Sequence, residues 1–225
     1  MNQDFGPIGK MVCYKSNQFL AFNKPTGLPV QHKDQVDLYS MACAYAKRSL
    51  HLIHRIDQPV SGVVLLARNS SAAKDLSIQF ARGKVDKVYY AITENKPPVE
   101  EGDLEQYLVK NSLKNKSFIS DKAAKDAKKV SLSYSFVASS DNYHLLKIRT
   151  HTGRHHQIRA QLAAMGCPIK GDVKYGARRK NADRSIHLHA ASLDLIHPTT
   201  QEKEHIVAPP PDEVLWNFFQ SNINT

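Results

Sequence analysis

Long apolar runs are missing from this sequence: nothing approaches the roughly 20 consecutive apolar residues that cross a bilayer. The opening Met1-Asn-Gln-Asp-Phe-Gly-Pro7 has neither a basic nor an apolar region, which excludes a secretory signal. Cysteine is scarce. Cys13, Cys43 and Cys167 are odd in number, widely spaced and never arranged as CxxC, which leaves no disulfide framework or thiolate zinc site and fits a reducing compartment. Also absent are GxGxxG, a P-loop, a Gly-x-Ser-x-Gly elbow, a Cys/His nucleophile arrangement and any internal repeat. These absences exclude a secreted, membrane-spanning or collagen-like protein, and the regular strand–helix alternation of a Rossmann fold is missing too.

Negative charge is the minority sign. Lys and Arg number 31 against 21 Asp and Glu, a formal net charge of +10. Two segments hold most of it: residues 110–129 carry seven Lys and two Asp, and residues 168–184 carry six Lys or Arg and two Asp. Such clustering suits a surface that follows phosphates, although 110–129 also reads as a solvated lysine loop.

What is present supports an ordinary core. The 225 residues are 41% hydrophobic, and no linker divides them, so one domain over 1–225 is expected. Residues 18–22 read as a strand stopped by the turn Asn23-Lys-Pro-Thr-Gly27, and 40–49 as a helix capped by Ser40. Gly62–Ala67 has the length and composition of a strand buried on both faces. A helix capped by Ser70 or Ser71 follows and closes at Gly83, then 87–92 returns to strand composition. Val130, Leu132, Tyr134 and Phe136 alternate as a one-faced strand whose antiparallel partner is 143–150. Ile158, Leu162 and Met165 then mark a helix ended by Gly166, before a late strand at 186–190 and a short helix at 214–219. Paired strands with interspersed helices imply an α+β domain around a largely antiparallel mixed sheet.

Two stretches carry candidate chemistry. His54-Arg-Ile-Asp57-Gln-Pro-Val-Ser-Gly62 feeds straight into the buried strand. An Asp at this spacing opens turns, yet a carboxylate at the lip of a buried strand is also held rigidly against a substrate. His151-Thr-Gly-Arg-His-His-Gln-Ile-Arg159 opens a helix. A zinc reading of His151 and His155 fails, because the Glu of HExxH is missing and Arg154 and Arg159 repel a cation. The pairs His51/His54 and His187/His189 lack thiolate partners, so no metal site is expected. The helix start suits a phosphate or carboxylate, and Arg159 either projects into a cleft or pairs with a nearby acid. Tyr89 and Tyr90 alternate across a strand, so only one can face a site.

In order and content these segments resemble the RluA-type pseudouridine synthases. The His54–Gly62 stretch looks like the family's His-Arg-Leu-Asp-x-x-Thr/Val-Ser-Gly signature, with Ile56 for Leu and Val60 for the commoner Thr. Asn23-Lys-Pro-Thr-Gly27, Lys87-Val-Tyr89-Tyr-Ala91, Thr152-Gly-Arg-His-His-Gln-Ile-Arg159 and Gly166-Cys-Pro-Ile-Lys-Gly-Asp172 match four further motifs. His155 departs from the usual Thr, Ser or Lys. The resemblance covers about residues 12–210, with no room before Cys13 for the S4 RNA-binding domain that many relatives carry.

The resemblance implies the pseudouridine synthase fold and isomerisation of specific uridines in ribosomal or transfer RNA. It implies Asp57 as the catalytic carboxylate, Arg159 as its cationic partner and Tyr89 against the target uracil. Whether Asp57 attacks C1′ or serves a glycal-like intermediate stays open. Substrate and product are isomers, so no cofactor is expected. Arg55 is the candidate for filling the space left by an extruded base. His54, Arg154, Lys114, Lys116, Lys125, Lys128, Lys170, Lys174, Arg178 and Arg179 are candidates for RNA contact. A monomer acting in the cytoplasm on RNA, with no membrane and no obligatory protein partner, completes the expectation. The competing reading, a non-catalytic RNA-binding protein using the same fold and basic face, is disfavoured by the intact Asp57, Tyr89 and Arg159.

Overall fold

The computed structural model describes residues 5–122, 124 and 126–223. In chain order the elements begin with β1 (Val12–Lys15), β2 (Phe19–Lys24), α1 (Leu38–Ala46), β3 (His51–Leu52), β4 (Ser61–Ala67) and α2 (Ser70–Ala81). There follow β5 (Asp86–Thr93), β6 (Glu101–Asn111), β7 (Lys116–Ser120), β8 (Lys128–Ser139) and β9 (His144–Thr150). The chain closes with α3 (Gln157–Ala164), β10 (Leu188–Ile196), β11 (Lys203–Val207), α4 (Val214–Phe218) and α5 (Gln220–Ile223). These elements fall into two compact units, Met1–Lys87 with His189–Pro211, and Val88–Leu188 with Asp212–Thr225. Among the described residues no helix is long and apolar enough to cross a membrane.

The first unit is built on β4. All seven of its residues are buried, as its unbroken apolar composition requires of a strand covered on both faces. β2 pairs with it antiparallel and β10 parallel, with His189 opposite Ser61 and Ala190 opposite Gly62. β1 extends the sheet beyond β2, β11 pairs with β10, and β3 pairs with β4. Val63 and Leu65 pack with Phe19, Leu76 and Leu193 in one apolar cluster. Burial of side chains this size contributes roughly 1.5–3 kcal/mol each. The β4–β10 approach is too close for a side chain at Gly62. Its φ is +118°, and a Cβ there would lie 2.2 Å from the Ala190 carbonyl oxygen.

Two helix caps differ from expectation, by three residues in α1 and by one or two in α2. α1 is capped by Asp37, whose carboxylate accepts the Ser40 N–H at 2.7 Å, and α2 by Asn69, which accepts the Ala72 N–H at 2.9 Å. A short polar side chain upstream, in extended backbone, thus reaches the orphan amide at the third helical position in place of Ser40, Ser70 or Ser71. Gly83 closes the second helix with a left-handed φ of 66°, as expected.

The second unit is an antiparallel sheet in the order β5-β9-β8-β6-β7. β8 and β9 form the expected pair, Leu132 opposite Thr150 through Ser139 opposite His144, with an irregularity between Phe136 and Ala138. The lysine-rich segment 110–129 includes strand as well as loop among the described residues. It starts at the end of β6, turns at Ser112–Asn115, runs through β7 and ends in β8. β6 has the period-2 burial of a strand with one solvated face, Glu101, Asp103 and Glu105 lying outward. Behind it Leu108 and Val130 pack with Ala160 of α3 and with Tyr175.

Candidate active site

In the first unit Asp57 opens a turn closed by the Val60 N–H on the Asp57 carbonyl at 3.0 Å, directly before β4. The ordinary reading of Asp-Gln-Pro as a turn therefore holds, and its geometry leaves the Asp57 side chain half-buried at the strand's entrance. A second loop braces this turn. The Gly27 N–H donates to the Gln58 carbonyl at 2.9 Å, and Gln58 Nε2 donates to the Gly27 carbonyl at 2.9 Å.

Between these loops lies Lys24, a fully buried lysine. Its ammonium donates to the carbonyls of Pro25 (2.9 Å), Leu28 (2.8 Å) and Gln58 (3.2 Å), which uses all three of its hydrogens on backbone beside Asp57. Burial pulls the Lys24 pKa down to about 7, and the negative charge of Asp57 opposes that fall. In the sequence Lys24 stands out only as part of a motif. The signal that marks it is a lysine closing the strand-like run Phe19-Leu-Ala-Phe-Asn-Lys24, where a cation has to be buried with partners.

The neighbouring histidine has a different place from the one expected. The His54 ring stacks on Phe80 with centroids 4.6 Å apart, and its Nε2 accepts the Leu65 N–H at 3.1 Å. Burial, aided by Lys87, holds it neutral with a pKa pushed down to about 3. A ring committed to the core and to a β4 amide is a brace for the Asp57 loop rather than an RNA contact, so His54 leaves that set. Arg55, the next residue, is exposed. Further along, His189 bridges Ser61 Oγ (2.8 Å) and the Ala208 carbonyl (2.9 Å), and burial lowers its pKa to about 4.

In the second unit Arg159 is buried on α3 and meets Asp172 in a two-pronged pair, Nε to Oδ2 at 2.7 Å and Nη2 to Oδ1 at 2.8 Å. Of the two expectations for Arg159, pairing with a nearby acid is the one the structure shows, although the side chain is buried rather than on the surface. The Tyr175 ring lies 5.0 Å from its guanidinium carbon. The Tyr175 hydroxyl also hydrogen-bonds His156 Nδ1 at 3.0 Å and accepts the Ser117 N–H at 2.9 Å, which ties α3 to β7. His155 stacks on His156 at 3.8 Å and bonds Ser117 Oγ at 3.0 Å. His156 is held far below the usual imidazole pKa, first by burial and then by Arg159. Part of the amide supply at the start of α3 is used internally, since Gln157 Oε1 accepts the Arg154 N–H at 3.1 Å. Of the tyrosine pair on β5, Tyr90 is buried with its hydroxyl on the Ile223 carbonyl, and Tyr89 is half-exposed.

Among the other basic candidates some make hydrogen bonds or ion pairs within the protein, and Lys174 and Arg178 among these are exposed as well. Lys116 donates to the Lys174 carbonyl and lies 4.7 Å from the Tyr175 ring centroid, while Lys174 Nζ donates to the Asn115 carbonyl at 3.2 Å. Arg178 pairs with buried Glu94 at 3.2 Å, and Lys170 donates to Asn181 at 2.6 Å. Lys114, Lys128, Arg154 and Arg179 are exposed. Lys125 lies outside the described residues.

Comparison with known proteins decides the family. Residues 18–164 match the family described as RNA pseudouridylate synthase. The chain belongs to this family. The synthase is 33% identical over 230 residues to a ribosomal large subunit pseudouridine synthase C of Buchnera aphidicola, covering 95% of this chain and 70% of that one. It is likewise 33% identical over 220 residues to a tRNA pseudouridine synthase C of Haemophilus ducreyi, at 88% and 89% coverage. The human RNA pseudouridylate synthase domain containing 4 superposes with a TM-score of 0.77 at 24% identity, over 96% of this chain and 94% of that one. The RluA-type assignment and the α+β synthase fold follow, and the synthase's activity is RNA pseudouridylation.

Proposed function

We propose that this synthase converts one or more uridines of ribosomal or transfer RNA to pseudouridine, and that Asp57 is the carboxylate that carries the reaction. The N1–C1′ bond breaks, the uracil turns, a C5–C1′ bond forms, and the C5 proton leaves as N1 regains one. Atoms balance, so the protein supplies position, charge and a proton route. Asp57 acts at C1′, either as nucleophile or as partner of a glycal-like species. We assign Arg159 and Tyr89 to the same reaction, Arg159 as the cation that favours a charged carboxylate and Tyr89 as the ring against the uracil. The observation that carries the reading is the placement of Asp57, in a turn braced by Lys24 and Gly27 at the mouth of the buried β4.

Arg55 is the side chain we assign to the space an extruded base vacates. Phosphates are taken by Arg154, Lys114, Lys116, Lys128, Lys170, Lys174, Arg178 and Arg179. Three thiols, none of them in a disulfide, support action in a reducing cytoplasm, and we assign the chain a monomeric state. The test is carbodiimide-dependent primer extension on unmodified ribosomal and transfer RNA transcripts incubated with the purified chain. A new stop at a defined uridine in one class is expected; no stop in either would overturn the assignment.

A further inference from the structure

The second unit holds a cavity of about 450 Å³ lined by Tyr143, Lys170, Arg179, Lys180, Asn181 and His187, together with acids. That volume lies within the roughly 300–1,000 Å³ typical of small-ligand sites. Its polar wall is a hydrogen-bonded network centred on Asn181, whose Nδ2 also donates to the Ser185 carbonyl at 3.0 Å. Lys170 Nζ donates to Asn181 Oδ1 at 2.6 Å, Asn181 Nδ2 meets His187 Nδ1 at 3.1 Å, and His187 Nε2 meets Glu213 Oε2 at 3.0 Å. Burial holds His187 below the usual imidazole pKa. With Asn181 donating to Nδ1, the proton of the neutral ring sits on Nε2 and points at Glu213.

The wall is rigid. His187 is buried and stacks on Trp216 at 5.7 Å, and Glu213 caps α4 by accepting the Leu215 N–H at 3.0 Å. Gly171 lies so close that a Cβ there would fall 2.7 Å from Asn181 Nδ2. An aromatic ring, Tyr143, also lines the cavity, with Lys170 Nζ 5.7 Å from its centroid. Both signs of charge line it: Arg179, Lys180, Asp183 and Glu213 are exposed, and Glu94 is buried. A site for a free anion would concentrate cations throughout. Here an aromatic face and carboxylates that accept hydrogen bonds line the cavity, and exposed cations stand beside them.

We propose that this cavity receives a second, non-target nucleotide of the RNA substrate. Its base lies against Tyr143 and presents an exocyclic amino group to the carboxylates, and its phosphate is held by Arg179 and Lys180. This rests on the synthase acting on RNA as proposed for Asp57, and it adds a source of site selection separate from the reacting uridine. Stacking on an aromatic side chain discriminates little among bases, whereas the carboxylates select adenine, cytosine or guanine over uracil.

The test uses the full chain and the transcript in which primer extension locates the modified uridine. Abasic residues are placed singly at positions flanking that uridine, and each RNA is assayed with wild type and with Tyr143→Ala/Asn181→Ala. Far-ultraviolet circular dichroism and the unfolding midpoint confirm that the variant folds. At one flanking position the abasic residue should raise the wild-type KM about tenfold, the scale of removing one base stack. In the variant the same lesion should change KM less than about twofold, because the stack is already absent. If the penalties at every position simply add, the cavity does not read a nucleotide and the proposal is overturned. Failure of the wild type to modify any transcript would instead overturn the underlying functional reading.

Discussion

Around Asp57 the first unit desolvates Lys24, His54 and His189 while Arg55 stays exposed, whereas around Arg159 the second unit desolvates His156, pairs some of its cations and displays others. Lys24, His54 and His189 are all pushed by burial toward their neutral forms, and each spends its polar atoms on backbone or on Ser61. Across the other unit Arg159 is matched by Asp172 and Arg178 by Glu94, while Lys114, Lys128 and Arg179 stay in solvent. The contrast separates two tasks. The strand mouth we propose to hold the reacting carboxylate is stiffened with desolvated groups, and the surface we propose to follow phosphates keeps its cations in water, where their removal costs little stability.

The largest effect should come from Lys24→Met. It leaves the Pro25 and Leu28 carbonyls buried without this donor, at a cost of about 3 kcal/mol read as a fall in the urea midpoint. A change below about 1 kcal/mol would show that the ammonium does not brace the loop. Next comes pH. The imidazoles of His54 and His189 have folded pKa values of about 3 and about 4, below the ordinary value of 6.5. Between those limits the unfolded chain binds protons that the folded one refuses. Their contribution is thus complete above pH 6.5 and declines as pH falls, by up to about 1.4 kcal/mol per pH unit for each ring. Urea titrations at pH 7.5 and pH 5 should resolve that decline, and equal midpoints would erase the contrast. The smallest stability effect belongs to Lys110, Lys114 and Lys128 changed together to Ala, within about 0.5 kcal/mol of wild type. The same variant should lower the slope of log affinity against log salt by ~0.7 for each phosphate no longer neutralised. An unchanged slope in filter binding would place those lysines off the RNA path.

The two regions also differ in how far they could be read from residue order. β4 was legible because burial on both faces writes itself as an unbroken apolar run, and the motif at its mouth supplies Asp57 locally. The β8–β9 pair was equally legible through strict alternation. β6 and β7 were not, because their lysines, serines and asparagines have loop composition, although Leu104, Gln106 and Leu108 preserve the alternation on the half-buried face. Helix caps missed by one to three residues for a local reason, the reach of Asp37 and Asn69. Long-range pairings were hidden altogether. Nothing in the spacing of Arg159 and Asp172, or of Lys170, Asn181, His187 and Glu213, announces that they share a hydrogen-bonded network.

The central claim is that Asp57 performs the chemistry, and single-turnover pseudouridine formation by Asp57→Asn on the mapped transcript tests it most directly. RNA binding should stay within about threefold of wild type while the rate falls by at least the roughly 10²–10⁴-fold typical of removing a catalytic acid–base group. Pseudouridine formation at near wild-type rate by this variant would contradict the account.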